Sequence, residues 1–250
     1  MKKIVAVGGG SILNRTTLAI DREIIRLSGS RHPRLLFIPT ASSDDVDYWK
    51  RIDDYFGREL GCKTDVLWLL RESPSKREIA DKIASAGVIY VGGGNTLKMM
   101  RRWRLLGIPR MLDKAGERGA VLCGASAGAI CWFDSGHSDS MSYYNPRDWD
   151  YVNVRGLGFA KGVFSPHYDS ETLGVKRKKS FHAMLRKIGG VGIAVEDNCA
   201  IEILGDKYRV ISSTQRAAAY RVFKKRGAVV AEPITKQTAL RPLAELFRVP

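Results

Sequence analysis

The chain has 250 residues, is 44% hydrophobic and carries a formal net charge of +15, enough length and apolar material to bury a full core. No apolar run reaches 18 residues, so nothing reads as a membrane span, and the basic start Met1-Lys2-Lys3 leads into an apolar run too short for a signal peptide. The four cysteines, Cys62, Cys123, Cys131 and Cys199, show no C-x-x-C spacing, which points to a reduced, cytoplasmic protein without a structural zinc.

In chain order, apolar β-branched runs alternate with helical stretches. Lys3–Val7, Arg34–Ile38, Asp65–Leu69, Val88–Val91 and Ala120–Cys123 read as buried strands. Between them Thr16–Leu27, Tyr48–Leu60, Ser75–Ala86 and Thr96–Lys114 read as helices. This alternation predicts an α/β fold, a doubly wound and mostly parallel sheet with helices on both faces. Val163–Pro166 and Val191–Val195 are expected to extend that sheet. The polar segment Ser135–Leu157 reads as a long loop. After Cys199 the pattern changes. Ala200–Leu204 and Tyr208–Ser212 flank Gly205-Asp206 as a hairpin, and Ala218–Phe223 with Ala228–Val230 make a second. We expect one domain over 1–250, with residues from about 200 forming an antiparallel edge and Leu240–Phe247 a closing helix.

The basic clusters Arg101-Arg102-Trp103-Arg104, Lys176-Arg177-Lys178-Lys179 and Lys224-Lys225-Arg226 are spread along the chain. No recognisable nucleic-acid module accompanies them, so we read them as solvated faces and expect no nucleic-acid partner.

Residues Gly124-Ala125-Ser126-Ala127-Gly128 form a G-x-S-x-G pentapeptide between an apolar strand and the helical-looking stretch Ala127 to Phe133. That context lifts a serine hydroxyl out of a sheet at a sharp turn flanked by small residues. Such a serine needs a base, and the base an orienting acid. Of the four histidines, His32 lies in a basic loop, His182 in a basic helical stretch and His137 on the polar loop. His167 ends a predicted strand, where doubly wound sheets display functional groups, and is the expected base. Three carboxylates compete for the acid: Glu196 at the end of strand Val191–Val195, Asp169 two residues after His167, and Asp139 after the serine helix. A second glycine run, Gly92-Gly93-Gly94, follows a strand and opens a helix, so the Gly94 and Ala127 N–H groups are candidate oxyanion donors. Gly8-Gly9-Gly10 lacks the third glycine of a dinucleotide fingerprint and is expected to be a strand-end turn lining the cleft.

Val91-Gly92-Gly93-Gly94-Asn95-Thr96, the Ser126 pentapeptide, Pro166-His167 and the Gly192…Glu196 strand end occur in an order that resembles peptidase family S51, the family of peptidase E (α-aspartyl dipeptidase) and cyanophycinase. The resemblance covers about residues 1–212. It implies a class I glutamine-amidotransferase-like fold and a serine exopeptidase or dipeptidase of short peptides that needs no cofactor or metal. By matching position, Ser126 is implied as nucleophile, His167 as base, Glu196 as acid, and Gly94 and Ala127 as oxyanion donors. Asp139 is the alternative acid. The order Ser…His…Glu differs from that of α/β-hydrolases. The loop after His167 and the segment Cys131–Gly136 depart from the peptidase E pattern, which puts strict preference for an amino-terminal aspartate in doubt, although Arg177 offers a cation for one. A non-hydrolytic binding protein of this fold and a cyanophycinase-like hydrolase are the competing readings, and a homodimer stays open.

Overall fold

In the computed structural model, which describes residues 1–249, the first half of the chain builds the doubly wound layer that its sequence predicts. Strands β1 (Lys3–Val7), β2 (Arg34–Ile38), β3 (Lys63–Val66), β4 (Val88–Val91) and β5 (Val121–Ala125) run parallel in the order β1-β5-β4-β2-β3. Helices α1 (Leu18–Leu27) and α2 (Val46–Ile52) cover one face. The second of these continues as a π-helical stretch, Asp53–Glu59. Period-two alternation sends Val5, Val7, Val121 and Cys123 to that face, where Ile20, Ile24, Ile52 and Phe56 meet them.

Helices α3 (Lys76–Ser85), α4 (Thr96–Leu106) and α5 (Ile108–Glu117) pack on the opposite face. The starts of α3 and α4 are written into the sequence. Ser75 and Glu78 form a capping box, and the Asn95 side chain accepts from the Lys98 N–H. The single helix expected over Thr96–Lys114 is two, because Gly107 takes a left-handed conformation (φ 72°) and Pro109 lies in the first turn of the next, which Ile108 begins.

After β5 comes the short helix α6 (Ala127–Ile130), and then the chain leaves the first sheet. Strands β6 (Phe133–Ser138), β7 (Val152–Arg155) and β8 (Ala160–Ser165) open a second sheet. A small hairpin, β9 (Glu171–Thr172) and β10 (Val175–Lys176), precedes helix α7 (Arg177–Ile188) and strand β11 (Val191–Val195). Two long hairpins follow and part company. β12 (Cys199–Leu204) and β13 (Lys207–Ser212) extend the first sheet beside β1, together with the short β16 (Arg241–Pro242). β14 (Ala219–Lys225) and β15 (Ala228–Ile234) extend the second sheet beside β11.

The α/β class therefore stands, with three particulars changed. Residues 163–166 and 191–195 belong to the second sheet, in which β6, β8 and β11 are parallel. The ends of the expected loop 135–157 are strands, hidden because β6 reads Phe-Asp-Ser-Gly-His-Ser. The expected closing helix is β16 followed by a short 3-10 turn, Leu243–Phe247.

One core joins the two sheets. It runs from Ile4, Ala6, Leu122 and Val91 through Ile130 and Trp132 to Phe164, Ile193 and Val195. The outer face of the second sheet carries Ala194 and Val222 under Phe181 and Leu185 of α7. Among the described residues no helix is long and apolar enough to cross a membrane.

Asp21, on α1, is buried beneath the first sheet. It accepts from Thr17 Oγ1 at 2.8 Å and Tyr55 Oη at 2.9 Å, and its Oδ1 has no partner among the described residues. Burial outweighs the two bonds and pushes its pKa up to about 7. The folded chain therefore keeps a proton that the unfolded chain releases near 3.8. Asp21 costs stability increasingly as the pH rises from about 4 to 7, reaching roughly 4 kcal/mol when both states are ionised. Thermal melts at intervals from pH 5 to 8 should show Asp21→Asn losing less stability than the wild type as the pH rises. Identical declines in both proteins would refute this assignment.

Candidate active site

The site forms where the carboxyl ends of parallel strands from both sheets meet, the usual place for ligands in open α/β sheets. Ser126 follows β5 and takes a strained backbone (φ 57°, ψ −116°). A Cβ on Gly124 or Gly128 would collide with the Val91 carbonyl of β4, so the turn packs backbone to backbone and only glycine fits. The Ser126 N–H donates to the Val7 carbonyl at 3.2 Å, and its own carbonyl accepts from Ala129 and Ile130. Its side chain is left half-exposed. Ala127 is the first residue of α6, so its N–H has no acceptor within the helix.

Gly93 flanks the serine: a Cβ there would lie 3.9 Å from Ser126 Oγ. Gly94 is pressed onto the Ala41 carbonyl, and the Asn95 N–H donates to that oxygen at 2.8 Å. Ser140 fixes this turn from the second sheet, accepting from the Leu97 N–H at 3.0 Å and exchanging a 2.8 Å bond with Ser138, which donates to Thr96 at 3.0 Å.

His167 leaves β8 with φ 49°, and its N–H donates to the Gly8 carbonyl at 3.1 Å. Ser126 and His167 thus hang from consecutive residues of one chain segment, Val7 and Gly8, although they come from different sheets. The carboxylate on His167 is that of Asp197, with Nδ1 2.5 Å from Oδ1. Ser170 donates to the other oxygen, Oδ2, at 3.3 Å, and the Asp197 N–H donates to Asp169 Oδ1 at 3.0 Å. Burial raises the Asp197 pKa, but the bond and charge of His167, the bond from Ser170 and the charge of Arg177 together hold it below the usual carboxylate range.

Glu196, the acid expected from the sequence, faces away. It accepts from the Ala218 N–H at 2.8 Å and from Tyr220 Oη at 3.0 Å. Strand alternation explains the difference. Glu196 continues the face of Ala194, towards α7, while Asp197 continues the face of Ile193 and Val195, towards the first sheet. That period was the available signal for Asp197. Of the other two candidates, Asp139 pairs with Arg177 at 3.0 Å and Asp169 holds the Asp197 backbone.

The remaining histidines are spoken for. His32 Nδ1 lies 2.8 Å from the Gly61 carbonyl, His182 bonds Tyr168 Oη at 2.7 Å, and His137 is buried in β6 against Ser180 at 3.0 Å. Cys123 is core, and burial raises its thiol pKa well above the usual value. Among the described residues no group of three or more His, Cys, Asp or Glu side chains is gathered to hold a metal ion. The imidazole oriented by Asp197 and the half-exposed Ser126 thus stand at the same strand junction, with the chemical parts a serine nucleophile requires.

The profile of peptidase family S51 matches residues 4–211. The uncharacterized peptidase YgaJ of Bacillus subtilis is 34% identical over 237 residues, covering 94% of this chain and 97% of that protein. The uncharacterized peptidase PM1590 of Pasteurella multocida is 34% identical over 139 residues, covering 54% of this chain and 64% of that protein. The crystal structure of a peptidase from an acI-B1 Actinobacterium superposes with a TM-score of 0.72 at 18% identity, covering 97% of each chain.

A Cβ on Gly9 would collide with His167 Nδ1 and Asp197 Oδ1. Gly9→Ala should therefore leave the melting temperature within a few degrees of wild type while lowering fluorophosphonate labelling of Ser126 at least tenfold, on the order of a displaced base. Labelling at the wild-type rate would show that this contact does not position the imidazole.

Proposed function

The chain belongs to peptidase family S51, and on that premise we propose that it is a serine exopeptidase of short peptides working through Ser126, His167 and Asp197. The observation that carries this reading is the short contact of His167 with Asp197, at the same strand junction as the strained Ser126. Asp197 fixes the imidazole tautomer and compensates the imidazolium that forms when His167 takes the serine proton. Ser126 Oγ attacks the peptide carbonyl, and the Ala127 N–H with an amide of the Gly93-Gly94 turn stabilises the oxyanion. His167 then protonates the leaving amine, and water, activated by the same imidazole, releases the acyl group from Ser126.

The half-open position of Ser126 between two glycine turns suits a short peptide. Arg177, the cation considered for an acidic first residue, is buried and paired with Asp139. A measured preference for acidic peptides therefore has to come from another residue. The four thiols are free and buried, which suits a cytoplasmic enzyme.

A dipeptide panel that includes Asp-X substrates tests the reading. Ser126→Ala should abolish turnover and fluorophosphonate labelling with the fold intact. Asp197→Asn should lower kcat/KM by about 100- to 10,000-fold, as loss of an orienting acid does, whereas Glu196→Gln should stay within about tenfold of wild type. Full activity in Ser126→Ala would remove the mechanism, and the reverse order of the two acid variants would return the role to Glu196.

A further inference from the structure

Arg177 is placed against local electrostatics. It is the first residue of α7, where the helix dipole disfavours a cation. It is only 2% exposed, although a buried guanidinium is costly unless fully partnered. Its neighbours Lys176, Lys178 and Lys179 are exposed, as a solvated basic cluster should be.

Acceptors meet both of its Nη atoms, while Nε has no partner among the described residues. Nη2 donates to Asp139 Oδ2 at 3.0 Å and to Thr172 Oγ1 at 3.2 Å, and Nη1 donates to the His137 carbonyl at 3.1 Å. Thr172 Oγ1 donates in turn to Asp139 Oδ2 at 3.1 Å, and the guanidinium lies 4.8 Å from the centroid of the Tyr151 ring. His137 adds no charge, because burial holds its pKa well below the usual value. Tyr143 is the other titratable group whose pKa responds to both Asp139 and Arg177.

This cluster is connected to the His167–Asp197 pair through Ser170, and the Arg177 charge reaches Asp197. The Arg177 N–H donates to the Ser170 carbonyl at 3.1 Å and closes the hairpin β9–β10, which turns over Leu173 and Gly174. Ser170, at the hairpin root, donates its N–H to the His167 carbonyl at 3.0 Å and its hydroxyl to Asp197 Oδ2. That tie is a backbone bond, and the Arg177 side chain holds the same hairpin through Thr172 Oγ1 of β9 at 3.2 Å. Asp197 itself faces His167, Ser170 and the field of Arg177, with Asp169 on its backbone.

We propose that Arg177 and Asp139 form a positioning unit for the Asp197–His167 dyad, pinning the hairpin root against Asp197 and setting the charge balance behind it. The proposal rests on the peptidase reading above for its kinetic consequences, but neither residue touches the reacting atoms. Removing the cation favours protonation of Asp197. Removing Asp139 leaves the cation uncompensated and favours its ionisation. The two substitutions therefore push Asp197 in opposite directions.

The test follows the Asp197 carboxyl carbon by NMR across pH, alongside pH profiles of kcat and KM on the best peptide of the panel. In Arg177→Gln, Asp197 should titrate about half to one pH unit higher. kcat should fall roughly 10- to 100-fold, the acid limb should move upward and KM should change little. In Asp139→Asn the titration should move downward. Arg177→Lys keeps the charge but loses the paired bonds, so its titration should stay near wild type while kcat falls.

Titrations unmoved in both charge-changing variants, with only a lower melting temperature, would overturn the proposal in favour of a purely structural pair. A rise in KM confined to acidic peptides would overturn it in favour of substrate binding by Arg177. Asp139→Asn as inactive as Asp197→Asn, with Asp197 titrating as in wild type, would make Asp139 the orienting acid. Should Arg177→Gln fail to fold, Arg177→Lys and Asp139→Asn carry the test. If the wild type cleaves no peptide, the peptidase reading fails while the NMR titrations still decide this one.

Discussion

The close approach of the first strand's exit to the second sheet is the constraint on which the site depends. A Cβ on Gly8 would collide with the Glu196 carbonyl, and one on Gly9 with the side chains of His167 and Asp197. Bare backbone at these positions lets three chain segments converge. Gly8 accepts from His167, Gly9 accepts from Asn198, and Val7 accepts from Ser126. The candidate nucleophile belongs to one sheet and its candidate base and acid to the other, so without this junction they would lie on separate edges. Glycine here supplies room for contact between the sheets.

The junction also explains where strain is stored. Ser126, His167 and Asn198 all have positive φ, at 57°, 49° and 61°, and each stands where a strand ends at the meeting point. Such conformations cost on the order of 1–3 kcal/mol apiece and persist only where surrounding packing over-determines them. The packing is present: Trp132, Phe133 and Phe164 fill the space between the sheets, with the latter two rings stacked at 4.7 Å. A continuous core thus holds the strand ends in conformations that no local preference would select.

Much of this was legible from residue order alone. Strands β1, β2 and β4 and the helix that starts at Ser75 were readable because apolar periodicity and capping are local signals. The strand-end positions of Ser126 and His167 were legible because each follows an apolar run. The partition into two sheets was not, since the run Val191–Val195 has the same apolar character whichever parallel neighbour it joins. β6 was obscured for a different reason. Its polar sequence carries no alternation, and His137 is buried there by Tyr151 and Phe181 rather than by its own hydrophobicity. The carboxylate that bonds His167 lies one residue beyond the expected Glu196. Resemblance pointed to the strand end, and only the face of the strand distinguishes Glu196 from Asp197.

The same reasoning bears on the charge of +15. A count treats each basic residue as equivalent, whereas the structure divides them by what they face. Arg102 donates to the Leu69 carbonyl at 2.7 Å, and Arg209 bridges Glu23 and the buried Glu202 at 2.6 and 3.0 Å. Arg177 is committed to Asp139. These guanidiniums join segments far apart in sequence, a task that suits a planar fork of donors better than the point charge of a lysine. The exposed lysines of the Lys176–Lys179 cluster make no hydrogen bond or ion pair among the described residues, and Lys178 lies 5.6 Å from the Tyr168 ring centroid. A basic run in this chain is therefore two populations, and the arginine buried within one of them is the one paired with Asp139.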